Sequence, residues 1–493
     1  MYYIGLSENI PWITTLVTSL FGVNLILAFI IIFLERKDPS ATLAWIMVLF
    51  LIPFVGIVLY LLFSQNIARK KIFRLTADEE WLLSNSLANQ TRDISSGKFY
   101  FSNEAAQTWK DLIRLNQVYG HAYYTQDNRI ETLTDGEEMF RCLLKDIEEA
   151  KETINIMFFI VKNDFVGRAL IDALTVKAKE GLTVRFLVDA LGSRQIGRRL
   201  MKEFIAAGGQ FSLFFPPSIP LFKWFNLKFN YRNHRKLVAI DDHIGYIGGF
   251  NIAKEYLGKK KKFGYWRDTQ LRICGGSAQD INARFLLDWR FAAKEQVKVS
   301  EVFFTPAVCE GKSGVQIVSS GPDARHEQVK RAFMRMIAGA KKNIYIQTPY
   351  FVPDGPILES LKMAAQSGVE VKMMIPNKPD HIFVYWATYS YVGEIIGSGG
   401  KVYVYDNGFL HSKTMTVDGE VYTAGSTNFD RRSFKLNFES NAFVYDREVT
   451  MEHERMFKED LKECYELTQE LYDRRSLWIR IKEPVARLLS DIL

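Results

Sequence analysis

The sequence predicts an α/β fold of two similar lobes, with mixed β-sheets flanked by helices, preceded by an N-terminal transmembrane helical hairpin. Three observations predict it. Two long uncharged runs open the chain, strand-like and helix-like segments alternate after them, and one spaced set of polar residues occurs twice.

The hairpin comes first. Ile10 to Leu34 is a run of 25 residues without a charge, and Ala41 to Phe63 is a second of 23, with Pro53 inside it. Each is long enough to cross a hydrocarbon core of roughly 30 Å as a helix. The break Glu35-Arg36-Lys37-Asp38-Pro39-Ser40 reads as a tight turn, with Ser40 placed to cap the second helix. A signal peptide would begin with Lys or Arg and carry a shorter apolar run, and neither holds. Arg69, Lys70, Lys71 and Arg74 follow the second run. A hairpin puts both its ends on one side, and these four positives assign that side, with the body of the chain, to the cytoplasm.

The remainder is too long for one ordinary core, so two or more units are expected. A net charge of +7 suits an anionic partner such as lipid or nucleic acid without choosing between them. Cys142, Cys274, Cys309 and Cys464 lie far apart with no CxxC pair. That argues against both a metal site and a disulfide framework, and predicts reduced, mostly buried thiols in a cytosolic setting.

Within the body, Leu112 to Gln126 is weakly patterned and reads as connector. Gly136 to Lys151 is helix-like, Ile154 to Val161 looks like a buried strand, Gly167 to Glu180 is a second helix and Thr183 to Val188 a second strand. The order then recurs: strand Ile344 to Ile346, helix Ile357 to Gln366, and a strand entered through Gly368-Val369-Glu370-Val371-Lys372. Alternation of this kind indicates α/β architecture. The predicted units are 1–64 (two spans), 65–120 (connector), 121–305 (first lobe) and 306–493 (second lobe).

The repeated polar set is the chemical signal. His234, Lys236, Asp241 and Asn251 recur at identical spacing as His411, Lys413, Asp418 and Asn428, in a chain with only seven histidines. Each set reads as a β-hairpin. His, Lys and the apolar residues after them alternate, the chain turns at Asp241-Asp242-His243 or Asp418-Gly419, and a return strand brings the asparagine back beside the histidine. Side chains two apart share a face, so His, Lys and Asn project together. Ser426 returns with Asn428. Asp241 and Asp418 fall at the turn and are placed to brace the hairpin rather than to react.

Two such hairpins facing each other would supply two imidazoles, two ammoniums and two amides, a set that fits a phosphodiester. Lysines and asparagines can stabilise phosphoryl oxygens, one histidine can attack phosphorus, and the other can protonate the departing alkoxide. Each imidazole needs an orienting carboxylate. Asp268 in Trp266-Arg267-Asp268 and Glu439 in Asn437-Phe438-Glu439 are the candidates, with their pairing open. No His/Cys/Asp set has zinc spacing, and lysines occupy the inner positions, so no metal is expected.

The two His-x-Lys-x4-Asp motifs resemble those of the phospholipase D superfamily, and the whole chain is similar to bacterial cardiolipin synthases of the two-motif type. Further segments carry the likeness: Arg36 to Ser40 leading into Leu43-Ala44-Trp45, Asn230 to Asn233, Thr348 to Pro353, and Asn428 to Ser433. The resemblance implies His234, Lys236, Asp241, His411, Lys413 and Asp418 as the catalytic motif residues. It implies phosphatidylglycerol as substrate, attacked at phosphorus by His234 with release of glycerol, and His411 in acid and base duty. A second phosphatidylglycerol would then displace the histidine to give cardiolipin. No cofactor is implied, since one phosphodiester is exchanged for another. One departure stands out: Gly249 occupies the place where the superfamily usually has serine, and which Ser426 fills in the second motif.

The predicted partners are therefore phosphatidylglycerol and other anionic membrane lipids, with the protein integral to the membrane and no nucleic acid bound. A nuclease uses the same histidines, but a bilayer anchor would tether it needlessly. Leu221 to Phe229 interleaves aromatics with lysines and suits the headgroup boundary. Lys259 to Lys262 could attract anionic lipid. Trp478 to Leu493 is amphipathic and reads as a surface anchor or as the lid of the second lobe. Other phosphatidyl transfers, hydrolysis to phosphatidic acid and an inactive membrane scaffold are the competing readings.

Overall fold

The computed structural model describes residues 11–35, 39–63, 72–73, 75–216, 230–299, 309–324 and 326–488. The interhelix residues Arg36 to Asp38, the basic residues 69–71 and 74, and the aromatic segment 221–229 lie outside these, as does part of the expected lobe boundary.

The N-terminal unit holds the helices Pro11–Phe29, Pro39–Leu51 and Pro53–Phe63, with a π-helical stretch at Ile30–Glu35. Ile31, Leu49 and Tyr60 form its small buried cluster, and the Asn24 amide donates to the Leu49 carbonyl at 2.8 Å. No described helix is long and apolar enough to cross a membrane. The two uncharged runs are present as helix but segmented. The first changes from α to π geometry at Ile30, and the second bends at Ile52, where Pro53 cannot continue the hydrogen-bond ladder.

The body is organised by one continuous sheet. The first lobe contributes β1 (Thr125–Leu133), β2 (Thr153–Phe158), β3 (Thr183–Asp189), β4 (Gln210–Phe214), β5 (Leu237–Ile240), β6 (Ile244–Gly248) and β7 (Gln270–Cys274). The second contributes β8 (Ser313–Ser320), β9 (Asn343–Gln347), β10 (Glu370–Pro376), β11 (Lys401–Tyr405), β12 (Thr414–Val417), β13 (Val421–Gly425), β14 (Asn437–Tyr445) and β15 (Cys464–Glu466). Their order across the sheet is β4-β3-β2-β5-β6-β7-β1 and then β8-β14-β13-β12-β9-β10-β11-β15. The second half mirrors the first, strand for strand, with β15 added at its edge. In each lobe three strands run parallel (β2-β3-β4, β9-β10-β11) and the histidine hairpin joins them antiparallel. The seam is the antiparallel pair β1–β8, interrupted by a bulge between Thr125 and Asn128.

The predicted helices are found at Gly136–Glu149, Phe165–Lys179 and Gly355–Gln366. Asp135, Asp164 and Asp354 cap their first turns by accepting backbone N–H bonds. Among the described residues of the stretch expected as connector lie the helices Ala77–Ser95, Glu104–Thr108 and Lys110–Gly120. Ile94, Trp109, Leu112 and Ile113 from this stretch are buried with Val329, Phe333 and Met336 in the core of the second lobe. Leu112 to Gln126 is thus a packed helix followed by the start of β1. Leu112 and Ile113 are buried, whereas Val118 is exposed, which is why the segment is weakly patterned.

The cysteine expectation is corrected in part. Cys274, at the end of β7, is disulfide-bonded to Cys309, just before β8, while Cys142 and Cys464 are free. Pairing across the sheet brings together two cysteines 35 residues apart, and no local pattern announces it.

Candidate active site

Each histidine arrives at the site on a short ladder made with the opposite lobe. Arg232-Asn233 of the first lobe pairs in parallel with Asn437-Phe438 of the second, and the His234 N–H donates to the Phe438 carbonyl at 2.9 Å. Phe409-Leu410 of the second lobe pairs in parallel with Trp266-Arg267 of the first, and the His411 N–H donates to the Arg267 carbonyl at 2.7 Å. The next residue on each partner strand is a carboxylate. Register alone therefore sets His234 beside Glu439 and His411 beside Asp268.

The contacts follow. His234 Nδ1 lies 3.0 Å from both carboxylate oxygens of Glu439 and 3.1 Å from the Ser426 carbonyl. His411 Nδ1 lies 2.5 Å from Asp268 Oδ2. Orientation is thus exchanged between lobes, which answers the pairing left open by the sequence. With Nδ1–H donated to a carboxylate, Nε2 is the nitrogen left to meet a reactant.

Both carboxylates are themselves held. Glu439 accepts from the Ser426 hydroxyl and, at 3.1 Å, from the Asn437 amide. Asp268 accepts from the Thr269 N–H at 2.8 Å. No hydroxyl matches Ser426 in the first lobe, and the reason is spatial: a Cβ built at Gly249 would lie 2.0 Å from Asp268 Oδ1. Glycine there gives the shorter aspartate room to reach its histidine.

Lys236 and Lys413 are buried beside the histidines, each donating to the carbonyl of its own motif's histidine, at 2.6 Å for Lys236. The asparagines differ. Asn251 is engaged at both ends, accepting from the Ile160 N–H at 2.9 Å and donating to the Tyr256 hydroxyl at 2.8 Å. The Asn428 amide oxygen is buried with no hydrogen-bond partner. Asp241 and Asp418 sit outside the pocket. Asp241 accepts from the N–H groups of Lys151, Glu152 and Thr153 at 2.8 Å, and Asp418 from those of Lys341, Lys342 and Asn343 at 2.7–3.0 Å. Each ties the hairpin turn to the start of the neighbouring parallel strand.

Burial sets the protonation states. It pushes His411 down to about 4, with the Lys413 ammonium adding to the effect and Asp268 opposing it. Burial also lowers His234, against the pull of Glu439. Lys413 is pushed down to about 8 by burial, partly offset by Asp268 and Glu439, and Lys236 falls well below the usual lysine range for the same reason. Burial alone would raise Asp268 and Glu439, but the adjoining histidines and lysines more than offset it, so both stay below the usual carboxylate range. Burial thus favours the neutral form of both imidazoles and of both lysines, while the carboxylates that hold the imidazoles stay ionised.

Several supporting residues carry no signal in motif spacing. Arg235, between His234 and Lys236, is buried. It makes 2.8 Å contacts to both oxygens of Asp288 and donates to the carbonyls of Glu439 and Ser320 at 3.1 Å. Asp189 accepts from the Asn233 N–H at 3.1 Å and steadies the approach to His234. Phe159 stands edge-on to the His234 ring at 5.0 Å, and Trp266 lies 5.2 Å from that of His411. Among the described residues no group of His, Cys, Asp or Glu could hold a metal ion. The Lys259 to Lys262 run is partly engaged: Lys259 pairs with Glu137 at 2.5 Å, and Lys260 and Lys262 lie over the Phe263 ring.

A duplicated α/β lobe carrying two carboxylate-held imidazoles and two buried lysines has the groups that phosphodiester chemistry needs. Comparison with known proteins is specific. The family model described as "Cardiolipin synthase, PLD-like domain" matches residues 143–271 and 333–461, one match per lobe, and the model described as "Phospholipase_D-nuclease N-terminal" matches 22–65. The chain is 47% identical to the major cardiolipin synthase ClsA of Bacillus subtilis (strain 168), over 98% of this chain and 100% of that one. It is 46% identical to the cardiolipin synthase of Listeria innocua over 97% and 99% of the two chains. In fold it is similar to the crystal structure of phosphatidylserine synthase from Haemophilus influenzae Rd KW20, with a TM-score of 0.58 and 16% identity over 77% of this chain and 96% of that chain. The chain belongs to the cardiolipin synthase family of the phospholipase D superfamily, and it is a phosphatidyltransferase.

Proposed function

We propose that the chain makes cardiolipin from two molecules of phosphatidylglycerol by double displacement at phosphorus. His411 takes up a proton at Nε2 as the substrate's phosphate anion binds beside it. His234 Nε2 then attacks the phosphodiester, the bond from phosphorus to the headgroup glycerol breaks, and His411 delivers that proton to the departing alkoxide. The glycerol hydroxyl of a second phosphatidylglycerol then attacks the phosphatidyl-histidine. Its proton passes to His411 as the P–N bond breaks. Protons and bonds balance over the cycle, and no nucleotide is consumed.

The observation that carries this reading is the exchanged pairing His234–Glu439 and His411–Asp268. It supports both Nε2 atoms as the reacting nitrogens, while burial favours the neutral form of His234. Lys236 and Lys413 stabilise the negative charge that grows on the phosphoryl oxygens. The buried, unpartnered amide oxygen of Asn428 offers an acceptor to an incoming hydroxyl. Asp241 and Asp418 brace the hairpins. A phospholipid-bound anion near His411 raises the proton affinity of that ring, which suits an acid in the first step and a base in the second. Purified protein given phosphatidylglycerol alone should yield cardiolipin and glycerol in equal amounts, and absence of both would overturn the reading.

The N-terminal helices are read as a bilayer-spanning hairpin. The family match at 22–65 and the exposed apolar side chains of Phe21, Ile26, Leu43, Leu51 and Phe54 support it. The basic residues at 69–71 and 74 support lobes on the cytoplasmic side. The Cys274–Cys309 disulfide favours the opposite face, because disulfides persist in oxidising compartments. Labelling of single introduced surface cysteines in intact cells with a membrane-impermeant maleimide decides between the two faces.

A further inference from the structure

The C-terminal helix Leu477–Leu488 has its apolar side facing out. Leu477, Trp478 and Leu488 are 71%, 73% and 82% exposed, and Ile481 and Val485 are exposed with them. At 100° per residue these five positions fall within an arc of about 100°, a single stripe along the helix. The opposite side holds Glu483 and Ala486, which are buried, and Glu483 is paired to Arg475 at 2.7 Å. This side packs along the helix Ile382–Gly397. Arg487 pairs with Glu394 at 2.5 Å, and the Lys482 ammonium lies 5.3 Å from the Trp386 ring centre. The helix is therefore already anchored on its inner side, and its outer stripe is not what holds it to the lobe.

Two observations say what covers the stripe. Arg480 and Lys482 flank it and are exposed, so the face is apolar along its middle and basic at its borders. The neighbouring helix adds Ile382 and Phe383, both exposed, at its N-terminal end. That end follows Asp380, whose carboxylate accepts the Tyr350 hydroxyl, and the Phe351 N–H next to Tyr350 donates to Thr388 of the same helix at 3.1 Å. Phe351-Val352 in turn pairs with Phe429-Asp430, directly after Asn428 of the site. A relay of contacts thus joins the start of this helix to Asn428 of the site.

We propose that the stripe Leu477, Trp478, Ile481, Val485 and Leu488 lies in the headgroup boundary of a bilayer rich in anionic lipid. With Ile382 and Phe383 it seats the second lobe on the membrane beside the reaction centre. This rests on the lipid-substrate reading above. An apolar face bordered by arginine and lysine matches the interface between acyl chains and phosphate groups. It also fixes the orientation of the lobe against the bilayer.

The test uses the full chain reconstituted in phosphatidylglycerol vesicles. A nitroxide at Ile481→Cys should show higher collision with oxygen than with a water-soluble nickel chelate, whereas one at Glu470→Cys should show the reverse. A water-exposed signal at 481 overturns the proposal. So does immersion seen only at high protein-to-lipid ratio, which would mean that a second copy covers the stripe. The double variant Trp478→Glu, Ile481→Glu should turn over vesicle phosphatidylglycerol at least tenfold more slowly, while matching the parent on short-chain phosphatidylglycerol in detergent. Equal rates on vesicles overturn the proposal. If the parent acts on neither form, the functional reading fails, and the nitroxide result still reports on the surface.

Discussion

His411 in the second lobe is held by Asp268 in the first, Nδ1 to Oδ2 at 2.5 Å, and the reciprocal contact joins His234 to Glu439 at 3.0 Å. Neutralising either acid should therefore damage the histidine of the opposite lobe. Asp268→Asn and Glu439→Gln are each expected to lower kcat by about a hundred- to ten-thousand-fold. On the Asp268→Asn background, His411→Ala should add little further loss. Full additivity of that pair in a double-mutant cycle would count against the exchanged arrangement.

The histidines should separate by trapping. His234→Ala and His411→Ala are each expected to reduce cardiolipin formation by at least about a thousand-fold. Only the protein that retains His234 should carry radiolabel from phosphatidylglycerol phosphorus after acid-free quenching. Label retained by His234→Ala protein would remove that residue as nucleophile.

Gly249 bears on the asymmetry between the lobes. Replacing it with serine restores the side chain found at 426 but drives a Cβ to within 2.0 Å of Asp268. Gly249→Ser should displace Asp268, cost roughly 1–3 kcal/mol of stability as overpacking does, and lower kcat through His411. Wild-type activity in this variant would show that Asp268 can move without consequence.

The motif aspartates should behave as structural groups. Asp418→Ala removes the acceptor of three backbone N–H groups at the start of β9. The expected result is a lower Tm, corresponding to about 1–3 kcal/mol, with kcat largely preserved at temperatures well below unfolding. A collapse of kcat in a protein of unchanged Tm would place Asp418 in the chemistry instead.

Acidification should destabilise the fold. Burial holds His453 down at about 3 and His411 at about 4, while an unfolded histidine titrates near 6.5. Between those values the unfolded chain binds more protons. Stability is thus fully present above about 6.5 and is lost as pH falls toward the folded values. Thermal unfolding in detergent should give a lower Tm at pH 5 than at pH 7.5. At the alkaline end, Lys413 near 8 predicts that KM for phosphatidylglycerol rises as its ammonium is lost.

Much of this was legible beforehand, for reasons particular to certain residues. The hairpin from Thr414 to Gly425 announces itself through alternation and the Asp418-Gly419 turn, and Asp418 indeed has a positive φ of 58°. His234 and His411 stand out because a rare residue recurs in one frame. Asp268 and Glu439 were visible as candidates, but their exchange was not, since it depends on two-residue ladders between distant segments. Cys274 and Cys309 failed to show as a pair for the same reason. Arg235 is only the unspecified position of His-x-Lys in the sequence, and its partner Asp288 is 53 residues away. Local patterns reveal elements, whereas long-range register reveals partners.

The sheet that passes from β1 to β8 has a consequence for how such a molecule can be cut. Neither half possesses a finished reaction centre, because each lends its acid to the other's imidazole. A solitary lobe could complete the arrangement only by docking against a twin. Divergence between the two copies shows at Gly249 opposite Ser426. Mutual dependence is what limits it, since an injury to either half is borne by both.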